Sequence, residues 1–140
     1  MQTRMLTVTA LLLTHAAQDA LAHHAFSAEF DAASPVELRG VVTKAEWINP
    51  HSWITIAVTL DDGTVETWEI EAGAPNSMFR RGFTRDSLPE GTEILVTGYR
   101  ARDGGRRANG RNLTLPDGTL LFMGSSGIGA PNDGADPTER

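Results

Sequence analysis

From residue 36 to residue 123 the hydrophobic positions alternate with polar ones more often than they recur at helical spacing. The clearest case is Ser52 to Leu60. Ile54, Ile56, Val58 and Leu60 fall on one side there, and Trp53, Thr55, Ala57 and Thr59 on the other. A period of two is the signature of a strand with one buried face. Val36 to Trp47 (VELRGVVTKAEW) reads as a long strand in which Gly40 marks a bulge or a sharp bend. Asn49-Pro50-His51 interrupts the pattern, because proline cannot donate to a ladder. Asp61-Asp62-Gly63 has hairpin-turn chemistry, and Thr64 to Glu71 returns as a third strand with Trp68 and Ile70 on one face. The alternation then stops. Pro75 to Phe83 reads as a short helix, capped by Asn76 or Ser77 and ended at Gly82. Glu93 to Tyr99 is a fourth strand, and Arg100 to Arg111 a charged, glycine-rich loop. Asn112 to Leu115 and Thr119 to Met123 flank the turn Pro116-Asp117-Gly118.

This order predicts an all-β chain with one short helix, folded as a small OB-like Greek-key β-barrel. A long bent first strand is what a small barrel needs to close. A β-sandwich is the rival, and the single mid-chain helix favours the barrel. The barrel with its N-terminal segment is expected over residues 23–124. Residues 125–140 are dominated by Gly, Pro, Ser and Asp and predict a disordered tail. Residues 1–22 combine a basic start, the short apolar run Met5 to Leu13 and the small-residue site Ala20-Leu21-Ala22. That is the pattern of a cleaved secretory signal, with a cut after Ala16 or Ala17 as the rival site. The predicted location is periplasmic or secreted. The apolar run falls well short of the ~20 residues that cross a bilayer as a helix, so no stable membrane anchor is expected.

Composition narrows the function. The 140 residues contain no cysteine, which excludes disulfides, thiolate metal sites and thiol catalysis. The net charge of −6 argues against nucleic acid as a partner, since such binding rests on phosphate neutralisation. Residues 100–111 run against this balance, with Arg100, Arg102, Arg106, Arg107 and Arg111 against the single Asp103. No nucleophile elbow, zinc-protease or phosphate-loop motif is present, so a binding protein is expected rather than an enzyme. Glu69 and Glu71 share a strand face and read as solvated.

The chain resembles a family of small exported bacterial proteins known as domain of unknown function 6152. The resemblance is carried by His23-His24-Ala25-Phe26, Trp47-Ile48-Asn49-Pro50-His51, Trp68-Glu69-Ile70-Glu71, Pro75-Asn76, Arg80-Arg81-Gly82-Phe83 and Gly91-Thr92. It implies an exported OB-like domain and no particular activity.

Three histidines, His23, His24 and His51, follow the predicted cleavage site. If the cut falls after Ala22, His23 gains a free amine. That amine and its ring nitrogen can chelate one metal, and His51 can supply a third nitrogen. Copper favours nitrogen ligands in such planar sets. An α-amine titrating near ~8 and imidazoles near ~6.5 lose their protons at little cost near neutral pH. His24 is an alternative partner, and Glu29 or Asp31 could add an oxygen. Trp47 and Trp53 flank His51 and could shield such a site. The alternative is a metal-free module that holds a protein or small ligand with Trp47, Trp53 and the five arginines.

Overall fold

The structure, a computed structural model, describes residues 26–139. The expected signal segment, His23 and His24 lie outside the described residues. Residues 26–29 are helical and run directly into β1, Phe30–Glu46. β2 is Trp53–Thr59, β3 Val65–Glu71, β4 Glu93–Ala101, β5 Arg107–Thr114 and β6 Leu120–Phe122. A short helix, α1, spans Pro75–Arg80 between β3 and β4.

The sheet order is β3-β2-β1-β4-β5-β6, and a parallel pairing of β3 with β5 closes the first five strands into a ring. The chain is therefore the small all-β barrel expected, with the connectivity of an OB-like barrel. β1 closes it by serving two neighbours. It pairs with β4 up to Val41 and with β2 from Val41 to Glu46. The change of partner falls at Val41, next to Gly40, where a Cβ would stand 2.8 Å from the Ala57 carbonyl oxygen. The bulge itself is displaced from Gly40, to between Val42 and Lys44.

The inward faces follow the period-two pattern. Val42, Ile54, Ile56, Ile70, Ile94 and Val96 are fully buried in the barrel. Each buried side chain of this size contributes about 1.5–3 kcal/mol. Leu60, expected on the same face as Ile56, is exposed at the β2–β3 turn. The acidic turns behave as their composition predicts. Asp62 accepts from the Thr64 N–H at 2.8 Å and Asp117 from the Thr119 N–H at 2.9 Å.

Four expectations are corrected. α1 has no side-chain cap from Asn76 or Ser77; Ala74 is its N-cap and Pro75 fills the first turn. Helical structure at residues 26–29 adds a second short helical segment to the one expected. The charged loop is much shorter than residues 100–111, because Arg100 belongs to β4 and both Arg107 and Arg111 belong to β5. The tail expected to be disordered lies against the barrel. Ile128 and Ala130 join Phe26, Phe30, Tyr99 and Ala101 in a second apolar cluster, separate from the barrel core. The Phe26 N–H donates to the Ile128 carbonyl at 3.1 Å, so the two ends of the described chain are tied together. Arg111 explains why so polar a segment docks. Its guanidinium is buried on β5 and donates to both carboxylate oxygens of Asp133, at 3.1 and 3.2 Å.

Candidate functional site

The loop before β2 determines where His51 stands. The Ser52 N–H donates to Gly73 O at 3.0 Å, and the Ala72 N–H returns to Ser52 O at 2.9 Å. These bonds extend the β2–β3 ladder past its last regular pair, Trp53 opposite Glu71. His51 is thus held diagonally across from Glu71, two residues beyond Trp53 on the same side of the strand. Its Nδ1 lies 3.5 Å from Glu71 Oε1. The parallel pairing places Asn109 beside Glu71 from the other neighbour, and Asn109 Nδ2 donates to the same Oε1 at 3.3 Å.

Glu71 was expected on a solvated face and is instead buried, with 9% of its side chain exposed. Trp53 and Glu71 do point away from the barrel core, but the segment 26–30 and the tail form a second layer over Glu71. Phe26, Glu29, Phe30, His51, Glu71 and Ile128 enclose a cavity of about 60 Å³. Burial pushes the Glu71 carboxyl above its ordinary value; His51 pulls it back, and nearby Glu29 adds to the rise. The surroundings are not fully satisfied. Asn109 Oδ1 and Arg107 Nε are buried without a protein partner. Buried polar atoms of this kind are uncommon in folded proteins and concentrate where a structure does something besides fold.

His51 keeps 39% of its side chain exposed, enough to meet a ligand. Of the oxygen donors considered beside it, Glu29 lines the cavity with His51. Its Oε2 lies 3.8 Å from Arg107 Nη2. Asp31 is occupied locally, accepting from the Ala33 N–H at 3.0 Å and the Ser34 hydroxyl at 2.8 Å. Among the described residues no group of three His, Cys, Asp or Glu side chains could hold a metal ion. The described part of the site therefore offers one imidazole and a buried carboxylate, and any nitrogen chelate needs ligands from before Phe26.

The other candidate residues are dispersed and engaged. Trp47 packs on Phe79 and Phe83, with ring centroids 5.4 and 6.2 Å apart. Trp53 is half-buried at the start of β2. Arg100 stacks over Trp68 and donates to the carbonyls of Gly104 and Gly105. Arg102 holds the Ser27 carbonyl, and Arg106 pairs with Glu66 at 2.9 Å. Hydrogen bonds from Arg106 and Trp68 keep the Glu66 carboxyl below its ordinary value. Arg111, expected in an exposed basic loop, has only 2% of its side chain exposed.

The family of unknown function DUF6152 matches the chain over residues 10–111. The chain belongs to this family. No curated protein and no solved structure matches it. The DUF6152 match ends at Arg111, whose guanidinium holds the tail, and it takes in His51, Glu71 and Asn109. No helix among the described residues is long and apolar enough to cross a membrane.

Proposed function

We propose that this DUF6152 protein is an exported binding protein that takes up copper at the mouth of the His51 cavity. The signal would be removed after Ala22, leaving His23 as the new terminus. The amine and ring of His23 would supply two nitrogens and His51 a third, with His24 as the alternative imidazole. One observation supports this above the others: Phe26 lines the same cavity as His51. Three residues of fully extended chain span about 10 Å, so a terminus at His23 would have the reach to join a site beside Phe26. The metal-free reading has less support, because all five arginines already contact other parts of this domain.

The test is a Cu(II) titration of three forms of the protein. The chain beginning at His23 is expected to bind one copper ion. One extra residue before His23 blocks the amine chelate and should lower affinity at least 100-fold. His51→Ala should lower it about 10- to 100-fold. Equal affinity in the extended and processed forms would sink the proposal.

A further inference from the structure

We infer that Glu71 is the positioning residue for His51: its buried carboxylate fixes the imidazole in the Nδ1–H form and leaves Nε2 as the nitrogen offered to a ligand. The inference rests on the proposed function for its purpose, but its geometry stands alone. Glu71 Oε1 is the oxygen facing His51 Nδ1, at 3.5 Å. A carboxylate can only accept, so it selects the tautomer that presents a hydrogen to it. Metal-binding histidines are commonly held in this way, with the second ring nitrogen donating to a carboxylate.

The carboxylate cannot easily turn away. β3 fixes its backbone between β2 and β5, with Trp53 opposite on one side and Asn109 on the other. Asn109 is 1% exposed, and its amide holds Oε1 from behind. The close approach that delivers Asn109 is built into β4. A Cβ at Gly98 would come within 2.1 Å of the Asn109 carbonyl oxygen, so only glycine fits there. Other charged groups facing the pair are Glu29 and Arg107, which lie 3.8 Å from one another. Asn109 therefore holds the carboxylate, the carboxylate holds the imidazole at Nδ1, and Nε2 is the nitrogen left for a ligand.

Long-range ¹H–¹⁵N NMR on the metal-free protein, at a pH where the ring is neutral, reads the tautomer directly. The natural protein should show His51 mainly as Nδ1–H, whereas free imidazoles in water favour Nε2–H. Glu71→Met keeps the volume and removes the acceptor, so His51 should revert to the Nε2–H form. Glu71→Gln restores a carbonyl and should recover much of the Nδ1–H population. An unchanged tautomer ratio in Glu71→Met, with the backbone spectrum intact, would overturn the inference. So would Nε2–H as the main form in the natural protein. Copper binding is the second arm, in the chain beginning at His23. Glu71→Met should cost about 10- to 100-fold in Cu(II) affinity. A natural protein with the expected tautomer and no copper binding would leave the role of Glu71 standing and remove the copper reading.

Discussion

Two buried charges lie almost side by side on the barrel wall and are handled in opposite ways. Arg111 on β5 is covered by the tail, and its guanidinium donates to both oxygens of Asp133, to the Pro131 carbonyl, and lies over the Phe122 ring. Tyr99 donates to the same carboxylate at 3.1 Å. Glu71 sits one strand away, opposite Asn109, which is two residues before Arg111. Its partners are one amide and one imidazole contact at 3.5 Å, and Asn109 Oδ1 and Arg107 Nε beside it have no protein partner. The first cluster is close to saturated and fastens a segment. The second has fewer protein partners and is half open at His51. Fully satisfied polar networks rigidify and specify a structure, whereas a buried polar group without a protein partner calls for a separate explanation.

Breaking the saturated cluster should produce the larger effect. Asp133→Ala leaves the Arg111 guanidinium buried without its carboxylate, and removing one member of such a pair costs about 3 kcal/mol. In a domain of this size that lowers Tm by about 10 °C. Chemical denaturation and calorimetry measure it directly, and a loss below about 1 kcal/mol would show that the tail is not fastened there. Limited proteolysis should detect release of residues 125–139 in the same variant. The acid response gives the sign. Burial tends to raise the Asp133 carboxyl, but the Arg111 and Ala135 hydrogen bonds outweigh it and hold it below its ordinary value. Stability from this group is therefore present above the ordinary carboxylate range and is lost as pH falls below about 4. The penalty of Asp133→Asn should accordingly be full at pH 7 and shrink toward pH 2.

The two clusters also differ in how legible they are in the sequence. Strands β2 and β3 and their turn are plain, because alternation and Asp-Gly chemistry are local signals. β5 is not, because RANGRNLT has few large apolar residues to alternate. Its strand geometry comes from β4 on one side and the ring-closing pairing with β3 on the other. Gly110 contributes to the disguise: a Cβ there would stand 2.7 Å from Met123 Sδ, so the strand uses glycine where a neighbour fills the space. Arg111 reads as a loop cation for the same reason. His51 could be singled out from its place after Asn49-Pro50 and between two tryptophans. Glu71 could not, since period two correctly places it on the outward face. The layer that buries it comes from Phe26, Phe30 and Ile128, at opposite ends of the described chain. Asp133 carried the missing signal for the tail, an acid in a polar segment of a chain with a cation in β5, but nothing local pairs the two.

The smaller effect, of opposite sign, belongs to Glu71. Its carboxyl is raised by burial, so between the ordinary glutamate range and its folded value the native protein binds more protons than the unfolded chain. Stability must then fall as pH rises through that window. Glu71→Gln has no charge to bury and keeps an acceptor for His51. It should match the natural protein near pH 3 and exceed it at pH 7 by about 1 kcal/mol, a modest figure because His51 partly offsets the buried charge. Urea unfolding at both pH values tests this. Equal stability at pH 7 would mean that Glu71 is as well satisfied as Asp133, and the contrast between the clusters would disappear. A gain at pH 7 in Glu71→Gln, with weaker copper binding in Glu71→Met, would show why a destabilising carboxylate is kept beside His51. The group that burdens the fold would be the acceptor that aims the ring.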